Sequence, residues 1–349
     1  MTEVRAQDNP LIGPLDVRPS QEGFEIIGTF NPAVARLGDE VVLLVRVAER
    51  PRNDDPNVVL AAIFDVTEGR IVTQPFARDD PANGFSDPRL IVRNGQTYLT
   101  SISHLRLARS TDGLHFDIED RPTIAPSDEY ETFGIEDPRI TCIDGVHYIH
   151  YVAVSPLGVA TVLVSTRDFR TFERHGVIFA PENKDVAIFP GPIKGTYSAL
   201  HRPHSPLFGR NDIWLAQSPD LFCWGNHRHL IGTREGLWDE RRIGAGAPPV
   251  RIDEGWLEIY HGADRHNRYC LGALLLDADE PWKVRARSDK PILVPEAEYE
   301  CSGFFGHVVF TCGLLCEDKR LKLYYGAADT TVCHAEIPVP DVLATLTSC

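Results

Sequence analysis

Two short stretches of the chain say nearly the same thing. Ser86-Asp87-Pro88-Arg89-Leu90 and Glu136-Asp137-Pro138-Arg139-Ile140 lie fifty residues apart. Each follows a loop rich in acidic and small residues, and each leads into an apolar, β-like run. The runs end at Arg93-Asn94-Gly95 and Ile143-Asp144-Gly145, both turn signals. A repeat of this length is the mark of a radial or stacked architecture. A carboxylate at the same point of each unit would converge on a shared axis, as in a β-propeller.

The rest of the chain fits that pattern. Its apolar runs are short and rich in Val, Ile, Leu, Tyr and Phe, and 26 prolines and 27 glycines punctuate them. Little reads as a long amphipathic helix, so the fold class is all-β. Three Ser/Thr-x-Asp turns recur at Ser110-Thr111-Asp112, Thr166-Arg167-Asp168 and Ser218-Pro219-Asp220. Each is followed by an aromatic residue, Phe116, Phe172 or Trp224, which should open a fourth strand. Unit starts fall near Asn31, Asp87, Asp137, Asp185, Gly246 and Gly306. That makes six, with the first and last incomplete and able to share one blade. No internal boundary stands out, so residues 1–349 are read as one domain, with 1–25 and 335–349 peripheral.

Composition narrows the partners. A formal net charge of −15 argues against nucleic acid and against an anionic membrane, while leaving a local anion site open. No run of 18 apolar residues exists. The N-terminus lacks the basic and apolar regions of a signal peptide, and eight cysteines occur without a CxxC pair. A cytoplasmic protein with reduced thiols and no metal is expected.

The polar residues that begin the units are the site candidates. They include Asn31, Asp87, Arg89, Glu136, Asp137, Arg139, Lys184, Asp185, His201, Arg202, His261 and Asp329. A carboxylate between arginines can serve as a general acid or base. Each Asp-Pro-Arg reads equally well as a turn whose Asp caps backbone amides and pairs with its own Arg. Leu200-His201-Arg202-Pro203-His204 concentrates basic groups in an acidic chain and suits an anion or sugar hydroxyls. Glycine and alanine around Asp329 leave space for a ligand. Gly244-Ala245-Gly246 lacks the strand-turn-helix setting of a dinucleotide site.

The string Phe133-Gly134-Ile135-Glu136-Asp137-Pro138-Arg139-Ile140-Thr141 resembles the catalytic motif of glycoside hydrolase family 130, the mannoside phosphorylases and related mannosidases. Further matches are Asn31-Pro32-Ala33, Leu44-Val45-Arg46, Lys184 to Pro190, Ala199 to Pro203, Ile243 to Pro249, Tyr260-His261-Gly262-Ala263, Val308-Val309-Phe310 and Tyr324 to Thr330. Leu200 to Pro203 and Ile243 to Pro249 resemble the branch acting on β-1,2-linked mannosides.

The resemblance implies a five-bladed propeller, one fewer than the six starts counted. It implies inverting phosphorolysis of β-1,2-mannobiose or short β-1,2-mannooligosaccharides, giving α-mannose 1-phosphate. Asp137 would be the general acid, acting through a mannose hydroxyl. Phosphate would be held by Arg46, Lys184 and His261, and mannose by Asn31 and Asp329. Asp87, Arg89, Glu136, Arg139, His201, Arg202 and Tyr325 would complete the sugar site. Inorganic phosphate is the co-substrate and no other cofactor is implied; a homo-oligomer is compatible with this. Residues 202–210 and 296–305 would form the rim. The alternative is a hydrolase on the same fold, which would lose the basic cradle and gain a carboxylate base. Glu49, close after Arg46, is a carboxylate whose direction bears on that choice.

Overall fold

The computed structural model describes residues 4–205 and 207–348. Five antiparallel sheets of four or more strands follow one another along the chain. The first is ordered Phe24–Leu37, Glu40–Pro51, Ile102–Ser110 and Asp117–Ile118. The second is Ile135–Ile143, Val146–Ser155, Gly158–Thr166 and Glu173–Phe179. The third is Asn183–Ile188, Tyr197–Pro203, Ile213–Ser218 and Gly225–Ile231. The fourth runs from Arg242–Ala245 through Gly255–Ala263, Tyr269–Leu276 and Val284–Ser288 to Leu346–Ser348, with Val250–Ile252 paired to its second strand. The fifth is Val309–Glu317, Arg320–Ala327, Thr331–Pro338 and the N-terminal Val4–Arg5. Each sheet packs on the next, and the fifth packs on the first.

The Ser/Thr-x-Asp turns sit where the repeat requires. Ser110 Oγ accepts from Gly113 N at 2.8 Å, Thr166 Oγ1 from Phe169 N at 2.9 Å, and Ser218 Oγ from Leu221 N at 2.9 Å. Asp112, Asp168 and Asp220 cap the next amides. These hydroxyls and carboxylates satisfy backbone donors that a tight turn would otherwise strand. Phe116, Phe172 and Trp224 then pack into the cores at the start of the fourth strands.

The unit start at Asp87 is corrected. Its segment opens no large sheet. It belongs to an insertion between the second and third strands of the first sheet, made of the hairpin Val58–Asp65/Arg70–Ala77 and the short strands Asn83–Gly84, Leu90–Arg93 and Gln96–Leu99. The run after Asp87 is four residues long before Asn94-Gly95 turns it back, too short to span a blade. Its apolar side joins a small separate core with Ala61 and Phe76. The true echo of Asp137 lies elsewhere. In the first strands of three sheets, Asn31, Asp137 and Asp185 each adopt a left-handed φ, at 47°, 49° and 54°. Each sits at a break in strand register. Such bulges aim a side chain out of the pleat.

The ends are not peripheral. Val4–Arg5 supplies the outer strand of the fifth sheet, Ile12 and Val17 are buried, and Ala335, Ile337, Val339 and Val342 belong to a main core cluster.

Three sheets share an internal brace that the sequence reading missed. An acid before the first strand accepts from a tyrosine on the second strand and an arginine on or at the start of the fourth. Glu131 meets Tyr151 at 2.5 Å and Arg174 at 2.9 Å. Asp239 meets Tyr260 at 2.9 Å and Arg287 at 2.6 Å. Glu300 meets Tyr325 at 2.7 Å and Arg5 at 2.8 Å. Tyr325 is therefore corrected: it is a core residue of the fifth sheet, with its hydroxyl committed to Glu300.

Candidate active site

Asp137 stands where the first strands of the sheets come together. Asn31 Nδ2 donates to its Oδ1 at 2.8 Å, and Arg46 Nη1 donates to the same oxygen at 2.9 Å. Burial would raise its pKa, but the charges of Arg46 and Arg139 and the Asn31 hydrogen bond outweigh it, so the carboxyl is held below its usual range. Asn31 fits because Gly326 has no side chain: a Cβ there would collide with Asn31 Oδ1. The small residues before Asp329 thus make room for Asn31 rather than directly for a ligand.

Arg46 is the hub of the first charge cluster. Its Nη2 donates to Glu136 Oε1 at 2.8 Å, its Nε to Ser103 Oγ at 3.1 Å, and its guanidinium lies 4.6 Å from the Phe30 ring centre. Lys184 Nζ approaches Glu136 Oε2 at 3.7 Å. Burial lowers the Arg46 pKa, but Glu136, Asp137 and Asp329 together raise it further, so it is always charged.

Asp185 is the hub of the second. Arg202 Nε donates to its Oδ2 at 2.7 Å, His261 Nε2 lies 3.4 Å from that oxygen, and Arg139 Nη2 lies 3.5 Å from Oδ1. Burial opposes its ionisation, yet Arg202, His261 and Arg139 hold its pKa well below the usual range. Gly244 is required here, since a Cβ would collide with Asp185 Oδ2 and the His261 ring. Burial pushes the His261 pKa down although Asp185 pulls it up, so the ring is neutral near pH 7. Its Nδ1 has no partner among the described residues.

Asp329 also follows a left-handed turn, with φ 49°. Burial pushes its carboxyl up to about 7; Arg46 and Arg89 oppose this and Asp137 reinforces it. Arg89, from the insertion, stands in the field of Asp329, and its guanidinium lies 4.7 Å from the ring centre of Phe305, whose N–H donates to Ala328 O at 3.0 Å. Phe305, in the expected rim segment 296–305, also meets Tyr269 edge-on at 6.4 Å.

Several expected residues stand elsewhere. Asp87 is partly exposed and spends its carboxylate on its own Arg89, through the Arg89 N–H at 2.9 Å and Nη2 at 2.7 Å. It is the self-contained turn, while Arg89 joins the pocket. Arg139 is buried beneath Asp137, donating to Gly246 O and Ala245 O, both at 2.9 Å, and to Asp137 O at 3.1 Å. It builds the floor and offers no face to a sugar. His201 alternates with Arg202 along its strand and points the other way. Its Nε2 lies 3.1 Å from His227 Nδ1 and its ring 5.0 Å from Phe179. Burial, with the nearby His227, pushes it down to about 3, and it takes no part in this site. Glu49 is fully buried and tied to Ser20 N at 2.8 Å and the Ser20 hydroxyl, so it faces the N-terminal segment.

The sequence reading missed Arg242 and Tyr269. The Arg242 guanidinium lies 6.0 Å from the Tyr269 ring centre, and its buried Nε has no partner among the described residues. Tyr269 stands within the field of Arg202, Asp185 and Asp329. Tyr269 and Arg242 each open an apolar strand that reads as core. Neither carried a motif signal.

Comparison with known proteins identifies the family. The model of glycoside hydrolase family 130, described as β-1,4-mannooligosaccharide phosphorylase, matches residues 88–348. The β-1,2-mannobiose phosphorylase of Listeria innocua is 49% identical over 347 residues, covering 98% of each chain. The structure of the Listeria innocua β-1,2-mannobiose phosphorylase in complex with β-1,2-mannobiose superposes with a TM-score of 0.97 at 49% identity, over 99% of both chains. The 1,2-β-oligomannan phosphorylase of a Thermoanaerobacter species is 39% identical over 244 residues, 69% of this chain and 80% of its own. On this evidence the chain belongs to glycoside hydrolase family 130, in the branch whose named relatives are phosphorylases of β-1,2-linked mannosides.

Proposed function

We propose that the protein is an inverting phosphorylase that converts β-1,2-mannobiose, or a short β-1,2-mannooligosaccharide, and inorganic phosphate into α-mannose 1-phosphate and the shortened sugar. The observation that carries the proposal is the set of basic side chains, Arg46, Lys184 and Arg202, brought to the site and each paired with one of its carboxylates, Glu136, Asp137 or Asp185. Phosphate is already a nucleophile, so the site must position it rather than deprotonate it. That accounts for a cluster of cations at the site, which an inverting hydrolase with its acid and base carboxylates would not need. The relatives named above support the choice of sugar.

In this mechanism a phosphate oxygen attacks the anomeric carbon while the bond to the leaving sugar breaks. Asp137, ionised in the empty site, takes up a proton as the substrates bind and passes it to the leaving oxygen through a hydroxyl of the bound mannose. Arg46 and Lys184 take the phosphate, joined by Arg202, which the structure groups with His261. Asn31 and Asp329 hold the mannose, and Arg89, Tyr269 and Arg242 face the leaving sugar. No cofactor beyond phosphate is needed. The five sheets form a five-bladed propeller in a single domain over residues 1–349, closed by the N-terminal strand. The reaction is placed in the cytoplasm, where inorganic phosphate is at hand.

A hydrolase needs a carboxylate poised to activate water. Glu49, the one raised for that role, is turned away. The deciding assay is release of mannose from β-1,2-mannobiose with and without phosphate. Turnover should require phosphate and yield α-mannose 1-phosphate. Equal mannose release in its absence would establish the hydrolase instead.

A further inference from the structure

Glu136 has a position that substrate binding alone does not explain. It leaves the second sheet between two cations from the first and third, Arg46 on Glu40–Pro51 and Lys184 on Asn183–Ile188. Its oxygens are divided between them, Oε1 at 2.8 Å from Arg46 Nη2 and Oε2 at 3.7 Å from Lys184 Nζ. The cluster is not sealed. Exposure is 13% for the Glu136 side chain and 36% for that of Lys184. A carboxylate bridging two cations at an opening presents the same pattern of charge and oxygens that a phosphate would present there.

We propose that Glu136 is the internal counter-ion of the phosphate site: it holds Arg46 and Lys184 apart and in place while the site is empty, and incoming phosphate displaces it. This rests on the phosphorylase reading and deepens it. Three physical points support it. With Glu136 and Asp137 both on Arg46, and Glu136 on Lys184, the two cations are locally neutralised. A phosphate dianion arriving beside a fixed carboxylate would be strongly repelled, so the two anions exchange rather than coexist. The long Arg and Lys side chains would lose much freedom on binding phosphate, and a resident anion keeps them ordered beforehand. Displacement also acts on the acid next door. Phosphate that draws on Arg46 takes from Asp137 one of the charges that hold it ionised. Glu136 is thus a positioning residue, which sets how readily phosphate enters and couples its arrival to Asp137.

The test is phosphate binding to the resting enzyme by calorimetry, together with steady-state kinetics. Glu136→Gln keeps the shape and removes the competing charge. The phosphate dissociation constant and KM should fall by roughly three- to tenfold. In Glu136→Ala, added formate should fill the vacated place and weaken phosphate binding again, while leaving wild type unaffected. Unchanged or weaker phosphate binding in Glu136→Gln overturns the proposal, because Glu136 is then only a strut for the cations. Should that variant fail to fold, absence of formate competition in Glu136→Ala overturns it equally. Failure of the phosphorylase reading shows separately, as phosphate-independent turnover by the wild type.

Discussion

At the scale of single residues, two identical tripeptides have different fates. Asp87 and Asp137 both precede Pro-Arg, but only Asp137 lies on the first strand of a large sheet, in a left-handed bulge that turns its carboxylate toward Arg46 and Asn31. Asp87 caps and pairs with Arg89 within its own turn. Asp137→Asn should therefore lower kcat by roughly 10²–10⁴-fold without loss of folding, the usual worth of a positioned acid. Asp87→Asn should cost less than about tenfold and act mainly on KM, through looser placement of Arg89. Steady-state kinetics of the two variants checks this, and a reversed order would mean the wrong copy carries the chemistry. The same scale shows why His201 was misplaced and Arg202 was not. Neighbours on a strand face opposite ways, and nothing in Leu200-His201-Arg202 tells which face is the pocket.

At the scale of elements, the turns were legible and the braces were not. Ser/Thr-x-Asp followed by an aromatic is a local pattern, because the capping hydroxyl, the capped amides and the packed ring all lie within seven residues. The acid–tyrosine–arginine brace joins residues far apart in the chain, up to 295 positions for Arg5 and Glu300. No spacing advertises it. Tyr325 illustrates the consequence: a tyrosine beside a site motif resembles a sugar contact, yet its hydroxyl is spent on a buried carboxylate. Tyr325→Phe should cost about 1–2 kcal/mol of stability, since it removes one hydrogen bond to a charged group. Urea denaturation measures that loss. Its kcat for phosphorolysis should stay within about twofold of wild type, and a large fall in kcat would return Tyr325 to the pocket.

At the scale of the whole molecule, the N-terminal strand completes a sheet whose other three strands come from the last fifty residues of the chain. Val4–Arg5 pairs with Thr331–Pro338, and Arg5 supplies the cation that Glu300 would otherwise lack. Burial raises the Glu300 pKa, but Arg5, the neighbouring amides and Tyr325 bring it below its usual value. Removing Arg5 leaves a fully buried carboxylate short of its partner, a costly state. Arg5→Ala should lower stability by about 3 kcal/mol, read as an earlier thermal or urea transition. Loss of under about 0.5 kcal/mol would show that the N-terminal strand merely rests on the fifth sheet.

The amino-acid sequence by itself determined the fold class, the strand-turn rhythm and the family, because each is written in local periodicity or in contiguous motifs. It also brought forward Asn31, Arg46, Lys184, Arg202, His261 and Asp329, which the structure draws into two charge clusters. Only the tertiary structure decided the number of large sheets, the separation of Asp87, His201 and Tyr325 from those clusters, and the placing of Tyr269 beside His261 with Arg242 next to it. It alone showed that Glu136 lies between the two cations expected to hold phosphate. The physical reason is that a side chain's role follows from which face of its strand is turned inward and what arrives opposite it from other sheets. Strand register and sheet packing set both, and neither is contained in a local run of residues.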